Sequence, residues 1–200
     1  MKRLRGPKDQ RPIRATADYL LHKKLLPLGF KTFRDATFRD LAHFEKLPVS
    51  EHDRIFNEII VSAICAALFS FERIKKEMKG EYHFWQEVQQ VLPERFKDSL
   101  VELGVNDDNA KLMRQLIAMR YQEYEEFLPT IAALHSAESQ AFKNFSSLLK
   151  YFGAATHSMA IGTGQHITRG EIQPGDPLIT YLNQWLTKLQ SNVAMFMLKL

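Results

Sequence analysis

Residues 50–80 read SEHDRIFNEIIVSAICAALFSFERIKKEMKG, and this stretch decides the fold. Ser50 is a favourable N-cap, and Asp53 puts a carboxylate in the first turn, where the free N–H groups and the macrodipole favour one. Glu72, Arg73, Lys75, Lys76, Glu77 and Lys79 make the far end polar and mostly basic. Gly80 supplies a terminating residue that adopts positive φ without strain. Between these ends lies Ile59–Phe71, thirteen residues interrupted only by Ser62 and Ser70 and apolar on nearly every side. A helix apolar all round is a buried central helix or a membrane span. Thirteen residues fall short of the roughly 20 that a bilayer core requires, and charges flank the run closely. The stretch is therefore expected to be the buried central helix of an all-α domain.

Composition supports one such domain. Two hundred residues are enough for a sizeable core, and 45% hydrophobic with 25% charged residues excludes wholesale disorder. The single cysteine, Cys65, lies inside the apolar run, so no intramolecular disulfide forms and an inert core thiol is expected. No signal-peptide apolar region follows the basic N-terminus, and no run is long enough for a transmembrane helix. A cytoplasmic chain is expected, free or peripheral to a membrane. The net charge of +4 is uneven: residues 1–24 carry +6 and the remainder −2. Residues 1–14, MKRLRGPKDQRPIR, are expected to form a basic flexible arm ahead of an all-helical domain over 15–200. Lys2, Arg3, Arg5, Lys8, Arg11 and Arg14 are its candidate contacts to an anionic membrane surface, RNA or an acidic partner, each base contributing about 1 kcal/mol near anionic lipid.

Working outward from the central helix, Ala15–Leu26 reads as a short helix closed by Pro27 and Gly29. Phe30, Phe33, Leu41, Phe44 and Leu47 form a loose apolar stripe ended by Pro48. After Gly80, Phe84, Val88, Val91 and Leu92 share a face. Pro93 suits the first position of a further short helix that Gly104 caps. Asn106, Asp107 or Asp108 then caps a helix over Asn109–Leu128, which Pro129 is expected to kink or break, with helix resuming to Phe152. Residues 153–177, GAATHSMAIGTGQHITRGEIQPGDP, hold five glycines and two prolines and are expected to be a long loop. Pro177 starts a final helix whose apolar face docks into the core or forms an oligomer interface. The sum is an all-α bundle of seven or eight helices.

Motifs for chemistry are sparse. Di-iron bundles need Glu-x-x-His pairs on facing helices; here His135 precedes Glu138, with only Glu58, Glu123 and Glu126 as partners to choose from. His157, His166 and Arg169 in the glycine-rich segment are the candidate ligand-loop residues. Gly162-Thr163-Gly164 lacks the lysine, spacing and strand of a phosphate loop. No serine elbow and no basic recognition helix is present. No catalytic residue, metal ligand or cofactor is assigned.

The segment Glu102–Leu128, ELGVNDDNAKLMRQLIAMRYQEYEEFL, resembles the ubiquinol–cytochrome c chaperone family, assembly helpers of the respiratory bc1 complex. The matching positions are Leu103, Gly104, Val105, Asp107, Lys111, Met113, Tyr121 and Tyr124. The apolar helix Ile55–Phe71 ending in Arg73 also stands where that family has one. The family's Tyr-Gly-Arg reads Tyr121-Gln122-Glu123 here. The resemblance implies an all-helical, non-enzymatic chaperone at a membrane face, for which the basic arm is an anchor.

Two functions fit these features. One is a non-catalytic binding protein, an assembly factor or adaptor holding protein partners through the arm and an apolar helix face, with the C-terminal helix open to self-association. The alternative is a small-molecule, lipid or cofactor-binding protein, enzyme or not, with a pocket beside the central helix closed by the 153–177 loop.

Overall fold

The computed structural model describes residues 11–74, 82–138, 146–170, 172–173 and 175–199. These residues form helices and no strand. Helix α1 spans Arg11–Leu20 and passes through a π-helical turn, Leu21–Leu25, into α2, Leu26–Arg34. Then come α3 (Ala36–Leu41), a 3-10 turn at Phe44–Lys46, and α4 (Val49–Ile74). Helices α5 (Tyr82–Glu102), α6 (Asp107–Glu138), α7 (Ser147–Thr168) and α8 (Pro177–Met197) complete the described chain.

The centre is α4, against which α2, α5, α6, α7 and α8 all pack. Every residue from Glu58 to Phe71 is buried. Helices approach from all sides because Ser62, Ala63, Cys65, Ala66, Ala67 and Ser70 are small, leaving the large side chains to interdigitate between them. At 26 residues with a mean hydropathy of 1.7 over its most apolar part, α4 is long and apolar enough to cross a membrane by length and composition. The thirteen-residue run thus understates the helix; its neighbours in the fold are other helices. Ser50 is not its N-cap: α4 begins one residue earlier, with the Pro48 carbonyl accepting from Glu51 N–H at 2.9 Å. The expected Gly80 cap lies outside the described residues.

Several local expectations hold. Gly104 has φ +90° and ends α5 in a Schellman motif. Its N–H bonds to Val101 C=O, and Val105 N–H bonds to Leu100 C=O, both at 2.9 Å. Asn106 Oδ1 accepts from Asn109 N–H at 2.8 Å and caps α6. Pro177 opens α8 behind the N-cap Asp176. The apolar face of α8 docks into the core, leaving Met195 and Leu198 exposed.

The prolines behave otherwise. Pro93 and Pro129 lie inside α5 and α6, and neither divides its helix. Each forfeits a backbone bond, a loss of about 3 kcal/mol in an isolated helix. Burial offsets it, because the apolar stripe stays in register across each proline: Val88, Leu92, Phe96 and Ser99 on α5, and Ala110, Ile117, Tyr124 and Ile131 on α6. Pro27 does not close α1 either; it sits in the first turn of α2, where its missing N–H is not needed. Gly29 is buried on α2 where that helix crosses Ile60, and a Cβ there would overlap the Ile60 side chain. Residues 11–14 were expected in the arm, yet they begin α1, with Ile13 2% exposed and anchored in the core.

The core also holds an unpaired polar side chain. Gln190 on α8 is 3% exposed, and neither its Oε1 nor its Nε2 finds a partner. Unsatisfied buried amides destabilise by about 1–3 kcal/mol. Gln190→Leu, close in volume, is expected to raise the urea midpoint by a corresponding amount with an unchanged slope.

Candidate functional site

The densest chemistry lies in a polar seam between α4, α6 and α7. On α4, Glu51, Arg54, Glu58 and Ser62 recur every three or four residues and so share one face. Facing them are Arg120, Glu123 and Tyr124 of α6, and Ser158, Thr163 and His166 of α7. Arg120 grips Glu58 in a bidentate pair, with Nη2 to Oε1 at 2.8 Å and Nε to Oε2 at 3.0 Å. Glu58 is almost fully enclosed. Burial works against the Arg120 charge, and the hydrogen bonds and charge of Glu58 more than offset it, so Arg120 is shifted up. Arg120 also reaches Glu123 at 3.3 Å, and Glu123 takes His166 Nε2 at 2.8 and 2.9 Å.

Deeper in the seam, Ser62 Oγ and Thr163 Oγ1 lie 2.7 Å apart and Tyr124 Oη lies 3.2 Å from Thr163. Ser158 donates to the Tyr124 carbonyl at 2.6 Å. At the rim, Arg54 donates to the carbonyls of His166 and Ile167, the second at 2.8 Å, satisfying the C-terminal end of α7 and complementing its dipole. The Arg54 hydrogen bond, assisted by Arg169, holds the Glu51 carboxyl below its usual range.

This seam consumes its own donors and acceptors. Glu123 and His166 form a carboxylate–imidazole pair, yet among the described residues no hydroxyl or thiol is hydrogen-bonded to the other ring nitrogen. Cys65 is no nucleophile, because burial pushes its thiol far up. No group of three or more His, Cys, Asp or Glu among the described residues is placed to hold a metal ion. What the arrangement does chemically is lock three helices in register.

The expected ligand loop is corrected here. His157 and His166 belong to α7, and Arg169 is its left-handed C-cap at φ 55°. Residues 153–168 are helical, and Gly162 and Gly164 in them serve close approach. A Cβ on Gly162 would lie 2.5 Å from the Tyr124 ring, and one on Gly164 would lie 2.8 Å from Ile179. His157 meets His135 of α6, ring nitrogens 2.8 Å apart. His135 thus faces a second histidine, while Glu58 and Glu123 are engaged by Arg120. Of the arm residues, Arg14 is exposed on α1 and Arg11 opens that helix; Lys2, Arg3, Arg5 and Lys8 lie outside the described residues.

Arg54, Arg120, Ser62 and Thr163 were missed by motif reading. The legible signal was the polar spacing on α4, since charged and hydroxyl residues on one face of an otherwise apolar helix need partners.

Two surface features remain. A groove of about 660 Å³ runs beside α4 between α5 and α6, floored by Leu68, Ile117 and Tyr121 and edged by glutamines. This groove is walled by α5 and α6, and none of residues 153–177 lines it. On α6, Leu112, Met119, Phe127 and Leu134 are exposed at steps of seven or eight residues and so form one row. Most of that row lies in Glu102–Leu128. Comparison with protein-family models, with curated proteins and with solved structures gives no match to this chain.

Proposed function

We propose that the chain is a non-catalytic helical binding protein, an assembly factor or adaptor acting through protein–protein contacts on the outer face of α6. The carrying observation is the exposed row on that helix, with Leu112 60%, Met119 61%, Phe127 44% and Leu134 49% exposed. It extends about 33 Å, and an apolar row of that length on an outer helix is the kind of surface a partner covers. The resemblance of Glu102–Leu128 to the bc1 assembly chaperones supports the same function, because that segment carries most of the row. The basic arm adds an attachment to anionic lipid.

Met119→Ser with Phe127→Ser, changing only exposed positions, should leave the melting temperature within about 2 °C of wild type. Mild crosslinking in the native cell, followed by mass spectrometry, should show partners lost from this double variant. An unchanged set of crosslinked proteins sinks the proposal. Deleting residues 1–10, which spares the buried Ile13, should abolish salt-sensitive binding to anionic liposomes without loss of folding.

The groove between α5 and α6 favours a second function, binding of a small molecule. Native mass spectrometry of the purified chain decides it: a stoichiometric bound compound supports it, and a bare mass counts against it.

A further inference from the structure

Charge is divided unevenly over the fold. Residues 1–34 carry +8, and residues 177–200 carry +2 with no acid among them, against −6 for everything between. The two basic parts meet in space. Tyr19 of α1 stacks on Phe196 of α8 with ring centroids 5.3 Å apart, and the π-helical turn packs on α8. Where they meet, the surface is also apolar, with Tyr19 45%, Met195 53% and Leu198 65% exposed. Met195 and Leu198 are one turn apart on the outer side of α8, and Lys199 stands one turn beyond Met195. Lys24 lies over the Tyr19 ring, its Nζ 5.8 Å from the centroid, and Lys23 beside it in the chain is exposed. Asp18, the acid next to Tyr19 in the chain, is already engaged by Arg95 at 2.7 Å. Around α4 the helices follow in the order α6, α7, α8, α1, α5, so this face is across the central helix from the exposed row of α6.

We propose that Tyr19, Met195 and Leu198, with Lys23, Lys24 and Lys199 beside them, are the face that lies on an anionic lipid bilayer. The inference rests on the attachment of the basic arm to anionic lipid and names the folded surface that follows the arm there. The chain enters α1 at Arg11, about 12 Å along the helix from Tyr19. Lysines among exposed apolar side chains fit a bilayer on both counts: the ammonium groups meet the headgroup charge, and the apolar ends pass below it. Tyrosine belongs at that depth, with an apolar ring and a polar tip. RNA would be drawn by the same lysines, but single strands are held by stacking bases on aromatic faces. The Tyr19 ring is already stacked on Phe196 and approached by Lys24, and Met195 and Leu198 give a base no such platform.

The test uses the full chain and vesicles of equal parts phosphatidylcholine and phosphatidylglycerol. Lys23→Gln with Lys199→Gln, both at exposed positions, should weaken co-sedimentation with these vesicles about twentyfold while the arm stays intact. Met195→Cys carries an environment-sensitive dye, since the native Cys65 is fully buried and does not react. Its emission should shift to the blue on these vesicles and stay unchanged on pure phosphatidylcholine. The same dye at Ser136→Cys, an exposed position on α6, should not respond. Wild-type affinity in the double lysine variant, or a dye at 195 as silent as at 136, overturns the face and leaves the arm's attachment standing. Binding unchanged by deletion of residues 1–10 overturns the arm's role instead, and the lysine and dye variants then still decide the face. A full chain that ignores the vesicles overturns both. So does tighter binding to polyuridine than to the vesicles, which makes the basic surface an RNA contact.

Discussion

Replacing Arg120 by methionine is expected to destabilise the fold by about 3–5 kcal/mol, because it leaves the Glu58 carboxylate buried without its partner. Glu58 is 5% exposed, and Arg120 supplies both of its side-chain hydrogen bonds. Adding Glu58→Met to the same chain should recover most of the loss, since two apolar side chains replace a pair whose desolvation had offset its attraction. Urea unfolding of the two single variants and the double variant at neutral pH measures both the loss and its recovery. Additive losses in the double variant would show that the pair is not the coupled unit described here.

Gly162→Ala is the second large effect, with an expected loss of about 1–3 kcal/mol. Alanine is the better helix former by about 1 kcal/mol, so a solvent-facing glycine in α7 would gain from the change. Gly162 loses, because its Cβ would lie 2.5 and 2.8 Å from two atoms of the Tyr124 ring. That ring is fully buried, and its hydroxyl lies 3.2 Å from Thr163 and 3.4 Å from Ser62, so it has nowhere to move. Gly164→Ala is the control. Its Cβ meets the Cδ1 ends of Ile172 and Ile179, which turn aside more readily, and it should lose less. A Gly162→Ala protein as stable as wild type would sink the close-packing role of that glycine.

The features read correctly from the sequence are those whose physics is local. Ile59–Phe71 has apolar side chains around its whole circumference, and any fold must surround such a helix. Gly104, Asn106 and Pro177 fix helix ends within three or four residues of themselves, through positive φ, a side-chain acceptor and a missing N–H. Cys65 is inert for an equally local reason: every neighbour in the chain is apolar or small.

The prolines and glycines misled because their local cost is only about 1–3 kcal/mol each. Burial on neighbouring helices exceeds that sum. Pro93 and Pro129 stay within helices whose buried stripes run on in register past them, and Gly162 and Gly164 let α7 press against α6 and α8. The polar seam was illegible for another reason. Glu58 and Arg120 are 62 residues apart, and Glu123 and His166 are 43 apart. The polar spacing along α4 announced that partners must exist, but their identity depends on which helices stand beside it. The sequence by itself therefore determined an all-α chain built on one buried helix, with helix ends at Gly104, Asn106 and Pro177. The tertiary structure alone decided where helices run through their breakers, which charges meet, and that the apolar row of α6 is left facing outward, because burial and pairing are properties of neighbours in space.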